Sequence, residues 1–286
     1  MRKGLNYWSF PEGTTAHDAI DAARAAGFDG LELCLARTGG LALGASDSEL
    51  AGIRRHAEDA GLELPSVASW LPWEHNLVSD DPRERQRARD LVTAQIAAAH
   101  ALGAHTVLVV PGYVGVDFVP GSTPVDYEQA YERAQEAIAG LAPVAGAAGV
   151  DIGVENVWNK FLLSPLEMRR FLDEIGHDAV GAYFDIGNAL LVGYPEQWIR
   201  ILGHRIRKVH VKDYRRSPGG FDSFVDLLAG DVDFPRVVES LTDIGYDSYV
   251  TAEIMPPYHH APDQLVVNTS ASMDRIFTWS PRESTP

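Results

Sequence analysis

Four short apolar runs in the second half of the chain each end in a side chain able to bind a metal ion. In order they are Asp151-Ile-Gly-Val-Glu155, Val180-Gly-Ala-Tyr-Phe-Asp185, Arg207-Lys-Val-His210 and Ser248-Tyr-Val-Thr-Ala-Glu253. Glu155 to Asp185, Asp185 to His210 and His210 to Glu253 are 30, 25 and 43 residues apart, which brackets one strand-plus-helix unit of a (β/α)₈ barrel of roughly 250 residues. Parallel barrel strands direct their C-terminal ends to one face, so side chains far apart in sequence converge there. Taken singly, an acid or histidine at a strand end is ordinary. Taken together at this spacing, Glu155, Asp185, His210 and Glu253 predict an α/β fold, a (β/α)₈ TIM barrel, with a metal centre at its mouth. Three carboxylates and one imidazole suit one divalent metal ion and select sharply for none among Mn²⁺, Co²⁺, Mg²⁺ and Zn²⁺.

The first half fits the same layout. Leu5 to Ser9 is predicted as strand one, followed by a helix capped by Thr14 or Thr15 that ends before Gly27. Gly30 to Cys34 is strand two, and Glu32 within it must face either a polar interior or the active face. It is read both as a structural ion-pair partner and as a substrate contact. Ser46 and Glu49 match a capping box, and Gly61 supplies a left-handed stop. Leu64 to Ala68 is strand three, and the loop after it carries Trp70, Trp73 and His75. Loops after barrel strands build the site, so Trp70 is a candidate wall of a sugar-sized pocket. Asp81-Pro82 opens a long helix to Leu102, whose arginines form a solvated face. Thr106 to Val110 is strand four, and the Gly- and Pro-rich segment from Pro111 to Pro124 is a loop of the kind that closes over substrate. A helix from Val125 to Ala148 leads into strand five. Val180 to Phe184, Ile206 to Val211 and Tyr249 to Ile254 complete the eight strands, with helices at Ser164-Pro165, Pro195 to Leu202 and Phe234 to Ile244.

One domain over residues 1–278 and a disordered tail over 279–286 account for the whole length. The 24 basic against 40 acidic residues give a net charge of −16, which argues against nucleic acid as a partner. Cys34 is the only cysteine, so no intrachain disulfide is possible. No run approaches the roughly 18 apolar residues of a membrane span. The expectation is a soluble cytoplasmic protein without membrane or nucleic-acid partners, acting on a small-molecule sugar or sugar phosphate, with a homo-oligomer open.

The phrases Gly-Val-Glu155-Asn156, Phe184-Asp185-Ile186-Gly187-Asn188, Val209-His210-Val211-Lys212-Asp213, Ala229-Gly230-Asp231-Val232-Asp233-Phe234 and Ala252-Glu253 resemble the sugar phosphate isomerase/epimerase family of xylose isomerase-like TIM barrels. They are most similar to the branch of L-ribulose- and L-xylulose-5-phosphate 3-epimerases, hexulose-6-phosphate isomerases and ketose 3-epimerases. The resemblance covers roughly residues 1–275 in layout, and its specific motifs lie after 150. It implies that Glu155, Asp185, His210 and Glu253 bind the metal, with Glu155 and Glu253 as the catalytic acid/base pair. Ketose 3-epimerases of free sugars tend to carry histidine shortly after the strand-six aspartate, where this chain has Asn188, making Asn188 a candidate substrate contact. Arg215 and Arg216 are the candidates for holding a phosphate, with Arg216 taken as the substrate-binding residue.

The reaction so implied moves a proton beside a ketone through a cis-enediolate, with a Lewis-acidic ion on the carbonyl and two carboxylates on opposite faces. Aldose–ketose isomerisation uses the same parts. A lyase or dehydratase acting on a keto-sugar or keto-cyclitol needs the same enediolate plus a leaving group. An endonuclease-IV-like nuclease shares the fold but requires further histidine ligands and a basic face. A non-catalytic sugar-binding barrel is hard to reconcile with paired glutamates.

Overall fold

Eight parallel strands close on themselves in the computed structural model, which describes residues 1–119 and 121–279. They are β1 (Arg2–Asn6), β2 (Gly30–Ala36), β3 (Val67–Ser69), β4 (Thr106–Val109), β5 (Asp151–Glu155), β6 (Val180–Asp185), β7 (Ile206–Val211) and β8 (Tyr249–Ala252). Neighbours in the chain are neighbours in the sheet, and β1 pairs with both β2 and β8, which closes the barrel. Leu41–Ala42 adds a short parallel rung beside β2. The predicted (β/α)₈ TIM barrel is therefore the fold that forms.

Helices α1 (Ala16–Ala25), α2 (Asp47–Ala60), α3 (Pro82–Leu102), α4 (Tyr127–Ala148), α5 (Pro165–Ile175), α6 (Ile186–Val192), α7 (Pro195–Leu202), α8 (Phe234–Asp243) and α9 (Pro262–Phe277) pack around the strands. Local chemistry sets their ends. Ser46 and Glu49 close a reciprocal capping box on α2, and Gly61 ends it at φ 67°. Asp81 accepts from the Arg83 amide ahead of Pro82, and Ser164 accepts from the Glu167 amide ahead of Pro165. Each cap is worth about 1 kcal/mol. Among the described residues, no helix is long and apolar enough to cross a membrane. The tail expected to be disordered lies, beyond Trp279, outside the described residues.

Several strand and helix ends differ by one to three residues from the sequence expectation, and two of the differences, with one added helix, have a clear physical cause. Strand one ends at Asn6 instead of running to Ser9, because the Asn6 side chain accepts from the Trp8 amide and turns the chain into a 3₁₀ turn. Strand three begins at Val67 instead of Leu64, since Pro65 has no amide to give the ladder. Helix α6 was not anticipated; Asp185 starts it by accepting from the Asn188 amide at 2.7 Å.

Strand alternation decides what fills the barrel. Phe184 is buried and stacks on Trp198 of α7, 6.1 Å between ring centroids. Its neighbours Tyr183 and Asp185 take the opposite direction and meet His210. The same parity sets Lys208, His210 and Lys212 on one face of the chain, and Thr251 with Glu253. A Cβ on Gly153 would stand 2.9 Å from the Tyr183 ring, so glycine two residues before Glu155 makes room for that tyrosine.

After β7, Asp213–Tyr214 pairs antiparallel with Phe224–Val225. The buried Asp213 carboxylate accepts from the amides of Tyr214 (2.9 Å), Gly230 (2.8 Å) and Val232 (3.2 Å). It thereby clasps the 226–232 loop, a structural task for the last residue of the His-Val-Lys-Asp phrase. Asp213→Ala is expected to lower stability by about 1–3 kcal/mol through orphaned buried amides. A urea midpoint equal to that of the parent protein would show that the loop is held by something else.

Candidate active site

One nitrogen or oxygen from each of Glu155, Asp185, His210 and Glu253 lies within 4.8 Å of all the others. Glu155 ends β5, Asp185 ends β6, His210 is the fifth residue of β7, and Glu253 follows β8. Asp185 and His210 are direct register partners, and the Glu253 amide extends the ladder by donating to the Val211 carbonyl at 3.1 Å. All four side chains are buried.

Beneath them, Glu32 accepts from His210 Nε2 at 2.6 Å, Asn6 Nδ2 at 2.6 Å and Ser66 Oγ at 2.7 Å, and also from the Tyr183 hydroxyl. Glu32 and His210 are both fully buried. With Nε2–H committed to Glu32, His210 turns its Nδ1 toward the other three side chains. Tyr183 also covers the imidazole edge-on, 4.6 Å between centroids. Burial works against the charge on Glu32, but His210, Ser66 and Tyr183 hold its pKa below the usual range.

Asp185 divides its two oxygens. Oδ1 caps α6, whereas Oδ2 faces the centre. Asn156 brackets the Asp185 backbone from both sides, accepting from its amide and donating to its carbonyl, each at 2.8 Å. Asn188 Nδ2 in turn donates to the Asn156 carbonyl at 3.1 Å.

Lys212 completes the cluster. Its Nζ lies 2.9 Å from Glu253 Oε1 and 3.2 Å from Asp185 Oδ2. The two glutamates consequently differ. Burial pushes Glu155 well above the usual carboxylate range, Glu253 and Asp185 add to this, and Lys212 offsets it only in part. Burial also opposes the Glu253 charge, but Lys212 and His210 outweigh it and bring that group down to about 2. Burial opposes charging of His210 too, yet Glu32 and Glu253 raise it well above the ordinary imidazole value.

Above the ligands is a cavity of about 60 Å³, onto which Glu155, Glu253, Lys212 and Asn188 open and which Trp8, Trp73, Phe118 and Trp158 wall. Trp70 is on its rim, 40% exposed, with its ring 5.7 Å from Trp8. Phe118, from the loop between β4 and α4, packs 4.9 Å from Trp73 and 5.8 Å from Phe221 across the mouth. A second space of about 370 Å³ adjoins it beside Lys212, Glu253 and Met255. Of the substrate contacts expected from sequence, Asn188 and Trp70 border the smaller cavity. Glu32 sits behind His210. Arg216 is exposed, its guanidinium 4.9 Å over the Tyr194 ring, and lines neither space. Sequence reasoning passed over Asn6, Ser66, Tyr183 and Lys212. Parity could have found Lys212, two residues past His210 and so on the same face.

The donor set fits a divalent ion on a structural ground. Asp185 Oδ2, His210 Nδ1 and Glu253 Oε2 are buried without a hydrogen-bond partner. His210 Nδ1 and Glu253 Oε2 approach to 2.7 Å outside hydrogen-bond geometry. Three carboxylates and the Glu32 carboxylate behind them outnumber the positive charges of Lys212 and His210, an imbalance in a buried site that a divalent cation would offset.

Residues 20–274 match the family described as "Xylose isomerase-like TIM barrel", and the chain belongs to that family. Among curated relatives, D-psicose 3-epimerase of Agrobacterium fabrum is 26% identical over 276 residues, 90% of this chain and 85% of that protein. The uncharacterised protein MJ1311 of Methanocaldococcus jannaschii is 26% identical over 184 residues, 62% of this chain and 60% of that protein. Among solved structures, D-psicose 3-epimerase with D-tagatose from Clostridium cellulolyticum H10 superposes with a TM-score of 0.80 at 22% identity, covering 98% of this chain and 99% of that one.

The raised pKa of Glu155 has a consequence for stability. Its folded value lies above the unfolded one, so folding binds a proton and stability falls as pH rises through that window. In chelator-treated protein, Glu155→Gln is therefore expected to raise Tm at pH 8 and to change it little at pH 4. An equal shift at both pH values would remove this ionisation as its cause.

Proposed function

We propose that this chain is a divalent-metal-dependent epimerase or isomerase of a ketose, with Glu155 and Glu253 as its acid/base pair. The reading is carried by one observation, the convergence of four buried ligand atoms within 4.8 Å at the C-terminal mouth of the barrel, both glutamates opening onto the same aromatic-walled cavity. Glu155, Asp185, His210 and Glu253 would hold a divalent ion, which would supply Lewis-acid polarisation of the ketose.

The protein's own groups do the rest. One glutamate takes the proton from the carbon beside the carbonyl, and the other returns a proton to the opposite face. Either glutamate serves as base with the other as acid, according to which face of the ketose carries the proton. Trp8, Trp73 and Phe118 exclude water from the carbanionic carbon and offer apolar faces to sugar C–H groups. The larger adjoining space is bordered by Asp213, Asp222 and Asp226, with Lys212 as its one basic residue. Such a lining opposes a phosphate, so an unphosphorylated ketose is the substrate form proposed.

The test is a panel of free ketoses and ketose phosphates incubated in D₂O with Mn²⁺, observing loss of a carbon-bound proton. Exchange into a free ketose with epimer or aldose formed is the expected result. An eliminated, dehydrated product would replace the epimerase with the lyase reading, and no exchange with any ketose would overturn both. Glu155→Gln and Glu253→Gln should each lower turnover by about 10²–10⁴-fold while weakening metal binding far less. One of them should still wash deuterium into substrate. Asp185→Asn and His210→Ala should instead lose metal and activity together in calorimetric titration, and full metal affinity in either would remove it from the ligand set.

A further inference from the structure

We propose that Lys212 is a substrate-contacting catalytic residue that exchanges partners, resting its ammonium on Asp185 and Glu253 in the metal-free chain and turning to the ketose when the site is loaded. The inference rests on the reading of Glu155, Asp185, His210 and Glu253 as a metal centre.

Among the described residues, Lys212 is the one lysine or arginine in ion-pair range of those four side chains. Its contact with Asp185 Oδ2 at 3.2 Å is one of charge, because that oxygen has no hydrogen-bond partner. An ammonium group and a divalent cation on one buried carboxylate oxygen repel each other, with little water between them to screen the charges. Lys212 must therefore yield Asp185 on loading.

The structure gives it room to do so. Lys212 borders both the small cavity above the ligands and the larger space beside Met255. Its Nζ already lies 5.3 Å from the Phe224 ring centroid, which offers a cation–π surface on the cavity side. Its contact to Glu253 is to Oε1, the oxygen turned away from His210. In that position the ammonium donates hydrogen bonds to the substrate oxygen on which negative charge develops as a glutamate removes the carbon-bound proton. No proton leaves Lys212; its part is charge stabilisation of the oxyanion.

The experiment compares Lys212→Met, Lys212→Gln and Lys212→Arg with the parent protein. Mn²⁺ is titrated into chelator-treated, substrate-free protein by calorimetry, and turnover is measured on the ketose found in the exchange screen. Both uncharged variants are expected to bind Mn²⁺ about tenfold or more tightly than the parent, because a competing charge is gone. Their kcat should fall about 10²-fold, and Lys212→Arg should keep parental Mn²⁺ affinity. Loss of activity with unchanged or weaker Mn²⁺ binding in both uncharged variants overturns the exchange, as does near-parental turnover in either. If the parent protein itself takes up no Mn²⁺, the metal-centre reading fails first, which separates the two.

Discussion

The mouth of the barrel depends on the contact between Glu32 and His210. A fully buried carboxylate with four donors on it is a strong positional restraint, since losing any one leaves a polar group without water or partner. The donors come from β1, β6, β7 and the residue just before β3, so the hub ties together elements around the circumference. Its effect on the imidazole is specific. Nε2 is spoken for, Tyr183 packs against the ring, and Nδ1 is turned to the one place where three carboxylates also converge.

That arrangement makes the centre electrostatically incomplete. Glu155, Asp185 and Glu253 face one another with His210 and Lys212 as the only nearby positive partners among the described residues. The charge is not shared evenly, because Lys212 and His210 lie against Glu253 and leave Glu155 to burial. Two chemically identical side chains are driven apart in acidity by their neighbours. The overall acidity of the chain and the acidic border of the larger space extend the same field outward. This field favours a metal cation and disfavours an anionic substrate.

Much of this was legible in the sequence because barrel strands impose a simple rule: the last inward residue of each strand faces the mouth. Glu155, Asp185, His210 and Glu253 could be read from spacing and chemistry alone, as could the eight-unit layout. Glu32 was visible as an anomaly, a charge inside an apolar strand, but its partners were not. Asn6, Ser66 and Tyr183 come from distant parts of the chain, and no local pattern announces a contact between residues 151 positions apart, such as Glu32 and Tyr183. Helix α6 was hidden for a related reason. Its start is written in a side chain already assigned to another task, and a glycine at its second position lowers helix propensity. Arg216 was proposed from its place in the chain, whereas its direction depends on the ring of Tyr194, which sequence does not locate.

The double use of Asp185 explains why two of the motifs occur together. Its Oδ1 starts α6 and its Oδ2 points into the centre, so the ligand cannot turn without uncapping the helix. Helix α6 then passes so close to the segment after β7 that a Cβ on Gly187 would stand 2.6 Å from Lys212 Cβ and 3.3 Å from the Phe224 ring. Glycine in Asp-Ile-Gly-Asn is thus the space into which lysine of His-Val-Lys-Asp fits, and Asp213 fastens the loop behind it. A side chain at 187 would push Lys212 away from Asp185 and Glu253 and disturb the acidity of both. The two phrases are halves of one device, in which a helix start sets a ligand, the helix backbone sets a lysine, and the lysine sets the charge on the glutamate opposite.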